Sequence, residues 1–504
     1  METSDLATRL ASVLQDMPGI LPELALTATL LLVLLADLVA GRGRALTGDH
    51  AAGCLPGLMA VLGLLVSAGL AYAQLGDAPP RVLFQGMLTA DSLAAFFKLI
   101  FALSTALIVL ASFRIRHQGE LLSLLLAAVL GMDFLAGARN LLMIAVSLEL
   151  VSIMSYVLAG FDRNDPRSGE AALKYMVFGS MASGALLFGA SWLFGLTGSL
   201  DLAAIQGALR NGSVDSLVLM LATLLVLAGI GYKIAMVPVH FWCPDVYDGA
   251  PTPITTFFSV GPKAAGIALL LRFLYPSFTL EGPLAVNLET TAFHPAILVA
   301  NLAAFTMTLG NLAAIGQTRV KRLLAYSSIA HAGYLMTGLV LATPAGLSAV
   351  LFYVVIYLFM NYGAFLLVDA IGQMRGGEDL AAFRGLGKRH PALAVAMTVF
   401  LVSLVGLPPV AGFIGKFVLF GEVIRERWYW LATVAVLNSV VSLYYYFSVA
   451  KSMWFDEGDD VVERAPLPAI HAGIIAGLCA LTLVLGLWWQ PLVDLTARSI
   501  AHLI

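Results

Sequence analysis

Residues 217–241 read LVLMLATLLVLAGIGYKIAMVPVHF. A run this long and apolar is a membrane span, yet it carries Lys233 and, five residues later, Pro238. A charged side chain near mid-bilayer costs roughly 2.5–3.5 kcal/mol on insertion scales, so it is retained mainly where it faces a polar interior and handles ions or protons. Proline removes a backbone donor, and the carbonyl it frees is tolerated at membrane depth only against protein or a water-filled cavity. The stretch therefore reads as a broken membrane helix with a lysine beside the break. A second apolar run repeats the combination, with Pro408 and Pro409 followed by Lys416. A lysine beside a broken helix, twice in one chain, points to a proton path.

Outward from these two stretches the whole chain is apolar. Its 504 residues are 60% hydrophobic and 12% charged, with mean hydropathy +0.90, whereas soluble domains carry about 25% charged residues. The fold class is an all-α polytopic membrane protein. Apolar stretches predict about fourteen spans, at roughly 18–40, 52–74, 92–113, 120–138, 140–160, 171–195, 214–242, 253–276, 292–316, 322–343, 345–371, 391–425, 428–455 and 468–495. The seventh and twelfth run long because they are discontinuous. No basic n-region or small-residue cleavage site precedes the first span, which is expected to act as the insertion signal.

Basic residues set the orientation. Loops on one side carry 15 of them, including Arg42, Arg114, Arg163, Arg319, Arg375 and Arg464, against 8 on the other, including Arg9, Arg139 and Arg272. The richer side is expected to be cytoplasmic, which puts both termini on the non-cytoplasmic side of a bacterial inner membrane. The remaining five, Lys98, Lys174, Lys233, Lys263 and Lys416, fall inside predicted spans, and all are lysine. Lysine changes protonation readily on burial, whereas arginine stays charged. Cys54, Cys243 and Cys479 are scattered, which argues against a cluster or a disulfide framework. No phosphate-binding loop, dinucleotide fingerprint or metal-ligand spacing occurs, so no cofactor or metal is expected in this chain.

The spans divide into peripheral helices 1–3 (residues 1–119), a five-helix block (120–276), a second five-helix block (277–455) and a last helix (456–504). Five is odd, so the blocks would be inverted repeats, the arrangement of transporters with central sites on discontinuous helices. The fourth helix of each block carries the proline and the lysine.

Glu149, deep in the fifth span, needs a proton or a cation, and Lys233 is the nearest candidate. Such a pair would act as a switch on the lysine's proton, or as static helix glue. Lys263 either relays between the blocks or snorkels to the interface. His331, followed by Tyr334 and preceded by Ser327 and Ser328, suits proton hand-off, though a hydrogen-bonded core histidine has the same signature. Lys416 is the candidate end station, with Glu422 and Lys451 flanking its exit. Lys174 and Lys98 compete with snorkelling, more strongly for Lys98. His240 would line the break or lie at the interface, and Asp133 would pair with Arg139 or line the path. Tyr444, Tyr445 and Tyr446 read as interface and packing surface.

Three stretches then carry a resemblance. Residues 237–253, VPVHFWCPDVYDGAPTP, with Lys263 beyond them, residues 317–334, QTRVKRLLAYSSIAHAGY, and residues 406–416, GLPPVAGFIGK, closely resemble the signature of the antiporter-like subunits of respiratory complex I. The similarity spans roughly residues 120–455. The stretches around Lys174 and Asp245, lysine at 416 and the chain length are most similar to the N-type subunits of bacterial NADH:quinone oxidoreductase. The resemblance implies a fourteen-helix fold with inverted repeats, and proton translocation driven by quinone reduction elsewhere. It implies that NADH, FMN, iron–sulfur clusters and quinone reside in partner subunits, and that the partners of this chain are other membrane subunits. By position it makes Glu149 and Lys233 the coupled acid and base, Lys263 the connecting lysine, Lys416 the outlet lysine and His331 part of a hydrated axis. Gly261-Pro262 before Lys263 departs from the serine common there. The rival expectation is a subunit of a multisubunit Na⁺/H⁺ antiporter, which shares these motifs. A third reading is a structural membrane subunit whose lysines only pair helices.

Overall fold

The computed structural model describes residues 10–47, 54–76, 79–113, 117–211, 214–278, 295–458 and 465–501. Four of the basic residues counted for orientation, Arg9, Arg114, Arg116 and Arg464, lie outside them, as does the start of the predicted ninth span at 292.

In chain order the helices are α1 (Leu21–Thr47), α2 (Cys54–Ala73), α3 (Ser92–Ala111), α4 (Gln118–Ala136), α5 (Leu141–Ala159), α6 (Pro166–Thr197), α7 (Leu202–Asn211), α8 (Ser216–Ile234), α9 (Trp242–Gly249) and α10 (Thr252–Phe278). They continue with α11 (Pro295–Ile315), α12 (Val320–Leu341), α13 (Pro344–Arg375), α14 (Leu386–Arg389), α15 (Pro391–Val405), α16 (Ala411–Arg425), α17 (Tyr429–Trp454), α18 (Ala469–Leu487) and α19 (Gln490–Ile500). Among the described residues thirteen helical segments are long and apolar enough to cross a membrane. A fourteenth crossing is assembled from α15 and α16, the two halves of the predicted twelfth span.

Local chemistry sets the helix ends. Asp91, Asn140, Asp165 and Asp215 accept hydrogen bonds from the first free backbone donors of α3, α5, α6 and α8. Proline opens α6, α13 and α15, where its missing donor costs nothing. The sequence reading missed three elements. A hairpin of β1 (Arg81–Leu83) and β2 (Leu88–Ala90) precedes α3, with Arg81 opposite Ala90. The short helices α7 and α19 are amphipathic and too polar to register as spans. Thus the apolar stretch predicted at 468–495 ends at Leu487 and turns into α19.

Both long spans break near their prolines. Helix α8 stops at Ile234, and Ala235 adopts a left-handed conformation before α9 resumes at Trp242. Helix α15 stops at Val405, and Gly406, with φ 88°, turns the chain toward α16. The Val237-Pro238 and Pro408-Pro409 peptides are both cis. The most enclosed helices are α10, α12 and α13, which pack on one another through the middle of the molecule. These also bear much of the buried polarity, so the polar axis sits where lipid cannot reach it.

Candidate proton-conducting site

Lys233 lies in the last turn of α8, fully buried. Its Nζ donates to Ser152 Oγ at 3.3 Å and lies 5.9 Å from the centroid of the Tyr175 ring. Glu149 sits one turn before Ser152 on α5; it is half-buried and acts on Lys233 through space, without an ion pair within 4 Å among the described residues. The expected pair is therefore a charge and its field, with a serine hydroxyl at the ammonium.

The carbonyls freed where α8 ends are taken by other donors. Trp242 Nε1 donates to Tyr232 O at 3.0 Å, and Met236 N donates to Gly231 O at 2.7 Å. The Trp242 indole stacks on Tyr175, 4.4 Å between centroids, closing an aromatic wall beside Lys233. Helix α10 passes close by because Gly266 has no side chain: a Cβ there would meet Ile234 Cγ2 at 2.5 Å and Lys233 Cβ at 3.4 Å.

Lys263, one turn from Gly266 on α10, is 4% exposed and donates to Ser328 Oγ at 2.6 Å. His331 follows Ser328 one turn along α12. Its Nδ1 is 2.8 Å from Tyr353 Oη and its Nε2 3.4 Å from Tyr446 Oη, while the Tyr446 hydroxyl bonds Ser327 Oγ. Tyr334 stands edge-on to His331 at 5.5 Å and is bonded by Asn311 Nδ2 at 3.1 Å. Lys416 Nζ rests 4.6 Å from the centroid of the Tyr334 ring. It donates to Leu404 O at 3.0 Å, Val405 O at 2.8 Å and Ser439 Oγ at 2.9 Å. The first two are the carbonyls orphaned where α15 ends, at the negative end of the helix dipole.

The structure thus brings Lys263, Ser328, His331, Tyr334 and Lys416 into one file, with Lys233 against the same helix α10. The sequence reading missed Tyr353, Tyr446, Asn311 and Ser439. It also assigned Tyr446 to packing surface, whereas Tyr445 and Tyr446 are buried on the axis and only Tyr444 is exposed. Three successive residues span about 200° of helix, so the members of this aromatic run cannot share one environment.

The other candidates lie off the file. Lys174 is 37% exposed and pairs with Glu170 at 2.6 Å and Asp245 at 2.8 Å. His240 is half-buried in the break and stacks on Phe241. Arg139 pairs with Asp201, so Asp133 has no bond to it. Lys98 does not snorkel; it is buried against Glu23. Glu422 pairs with Arg425. Lys451 lies twelve residues beyond Ser439 on α17, about 18 Å along the helix and so distant from Lys416.

At the end of the molecule bearing Arg163, Arg167, Arg319 and Lys321, two adjoining cavities of about 530 and 360 Å³ share Asp162, Pro251, Thr252, Asp369 and Gln373. Burial pushes the Asp248 carboxyl there above its ordinary range, opposed by Arg319, whose Nη1 is 2.6 Å away. Thr252 bonds Glu378 on the vestibule floor. From it Thr256, Ser259 and Lys263 follow at spacings of four, three and four residues on one face of α10, all buried. A hydroxyl ladder therefore runs from the vestibule to Lys263.

Residues 138–442, which contain Lys233, Lys263, Ser328, His331, Tyr334 and Lys416, match the family described as NADH:quinone oxidoreductase/Mrp antiporter, transmembrane. The chain belongs to that family. Among members of this NADH:quinone oxidoreductase/Mrp antiporter family, the chain is 46% identical over 503 residues to NADH-quinone oxidoreductase subunit N 2 of Sorangium cellulosum, covering 96% of this chain and 97% of the relative. Its fold is similar to a chain of respiratory complex I from Thermus thermophilus, at TM-score 0.78 and 32% identity, over 95% of this chain and all of that one. A chain of the Mrp complex from Dietzia, at TM-score 0.80 and 21% identity over 97% of each, shares the fold.

Proposed function

We propose that this chain is the antiporter-like N subunit of a proton-translocating NADH:quinone oxidoreductase. Its own part is to carry protons from the vestibule along the α10 hydroxyls to Lys263, past His331 and Tyr334, to Lys416. Lys233 and Glu149 bias that file from the first broken helix. The observation that carries the reading is the buried alignment of Lys263 on Ser328, His331 one turn further between Tyr353 and Tyr446, and Lys416 over the Tyr334 ring, in a chain whose full-length relatives bear the subunit N name. Lysine and imidazole both gain and lose protons, and tyrosine and serine hydroxyls pass them on without holding charge.

The vestibule opens on the face richer in basic residues, which supports a cytoplasmic intake and termini on the non-cytoplasmic side of the bacterial inner membrane. NADH, flavin mononucleotide, iron–sulfur clusters and quinone would belong to partner subunits, and neighbouring membrane subunits would cover the lipid-facing side. The Na⁺/H⁺ antiporter reading is weaker: it rests on the shared family and on likeness of fold.

Lys233→Ala in the assembled complex tests the proposal. Quinone-coupled proton pumping should fall strongly with all subunits retained. Full pumping with normal assembly would overturn the conducting role and leave the lysines as helix glue. Sodium–proton exchange by the complex without NADH would favour the antiporter reading instead.

A further inference from the structure

Away from the file, three ionisable side chains meet inside α1, α3 and α4. Glu23, in the first turn of α1, and Lys98, on α3, are each 2% exposed, with Oε1 and Nζ 2.7 Å apart. Asp133, in the last turn of α4, is wholly buried, and the charges that act on it are those of Glu23 and Lys98. Neither oxygen of Asp133, nor Oε2 of Glu23, has a hydrogen-bond partner among the described residues.

The charge balance of this trio is uneven. Two carboxylates and one ammonium would leave a net negative charge in an apolar interior, which is far costlier than a neutral acid. Among the described residues every neighbouring charge is already engaged or turned away. Arg272 of α10 pairs with Asp91 and bonds Ala136 O; Arg139 pairs with Asp201; Glu149 of α5 faces Lys233; Lys263 is bonded to Ser328. Helix α2 brings no charged residue, Asp494 and Arg498 of α19 are exposed, and Asp369 and Arg375 lie at the far end of α13.

We propose that Glu23, Lys98 and Asp133 form a second buried acid–base site that holds one exchangeable proton on its two carboxyls beside a fixed ammonium. It lies toward the β1–β2 end of the bundle, opposite the vestibule: β2 bonds the chain just past α4, from Thr89 N to Gly137 O at 2.8 Å. Its ligand is the proton itself, and it stands whether or not the central file conducts.

Infrared spectra of the purified complex in H₂O and D₂O test this. The wild type should show a protonated-carboxyl band that shifts in D₂O and disappears in Asp133→Asn. Glu23→Gln should remove it too, because Asp133 then ionises to pair with Lys98. Lys98→Met should strengthen it, because both carboxyls then take a proton. A protonated-carboxyl region unchanged by both Asp133→Asn and Glu23→Gln would overturn the proposal, leaving a static Glu23–Lys98 ion pair beside an ionised aspartate.

Discussion

The two broken helices meet the same backbone problem with different donors. Where α8 ends, the indole of Trp242 and the backbone of Met236 satisfy the orphan carbonyls, and Lys233 is left facing a serine and the field of Glu149. Where α15 ends, Lys416 itself takes the carbonyls of Leu404 and Val405. The first lysine is therefore decoupled from the geometry of its break, and the second is part of it. In the proposed route the first site responds to a charge and the second to a backbone movement, because Lys416 can give up its proton easily only if α15 and α16 shift.

Replacing the two lysines should break this comparison most sharply. Lys416→Met and Lys233→Met should each cut coupled pumping by roughly a hundredfold, the scale of a lost proton-transfer group. Their stabilities should differ. Lys416→Met strands the buried Leu404 carbonyl, at about 1–3 kcal/mol, while Val405 O keeps Ser439 Oγ at 2.7 Å, so the thermal midpoint of the complex or its retention of this subunit should drop. Lys233→Met strands only the Ser152 hydroxyl, which can turn elsewhere. Lys416→Arg should keep the donors and the stability yet lose pumping, since arginine does not release its proton. Equal destabilisation at 233 and 416 would refute the distinction.

Glycines give the next largest effect. A Cβ on Gly412 would sit 1.8 Å from Ser403 O, so Gly412→Ala forces the second break apart. At Gly266 the obstacle is an Ile234 methyl at 2.5 Å, which is overpacking worth about 1–3 kcal/mol. Gly412→Ala should impair pumping and assembly together, and Gly266→Ala should be milder on both, measured by coupled rate per assembled complex.

The first break should respond separately to its two tuning elements. Glu149→Gln removes the charge and should lower the coupled rate several-fold with stability retained. Trp242→Phe removes one of the two donors on the Tyr232 carbonyl, leaving Ala235 N at 3.1 Å, and should cost about 0.5–1.5 kcal/mol of stability, with a smaller loss of rate. If Glu149→Gln leaves the coupled rate unchanged, Lys233 is not under the control of that charge.

Spans, breaks and the main lysines were legible because each leaves a strong one-dimensional mark: an apolar run, a proline, a charge where none belongs. Their boundaries fall within a few residues of the helices except at 18–40, where α1 runs on to Thr47, and at 468–495, where α19 has an apolar stripe but too polar a surface. What joins the lysines was not legible. Tyr353, Tyr446, Asn311 and Ser439 come from three helices, and nothing in an isolated helix separates an axis tyrosine from an interfacial one. Asp133 was visible as an anomaly, but its neighbour Glu23, near the start of the first predicted span, was not singled out. Lys98 was misjudged because a lysine two turns into a span has the same pattern whether it snorkels or meets a buried carboxylate.

Lys174 marks the lower end of the scale and sharpens what the breaks have in common. It is intramembrane by sequence, like Lys233, but the structure turns it outward, onto Glu170 and Asp245, with Asp245 also held by Arg322 at 2.7 Å. Partly exposed pairs of this kind are worth about 0–1 kcal/mol, and Asp245 keeps Arg322 when Lys174 is removed. Lys174→Ala should therefore change coupled pumping by less than about twofold, the rate equivalent of a few tenths of a kcal/mol. A loss approaching that of Lys233→Met would mean that protons enter along α6 and α9 at the first break instead of through the α10 hydroxyls to Lys263, and Thr256→Val and Ser259→Ala would then be the silent variants.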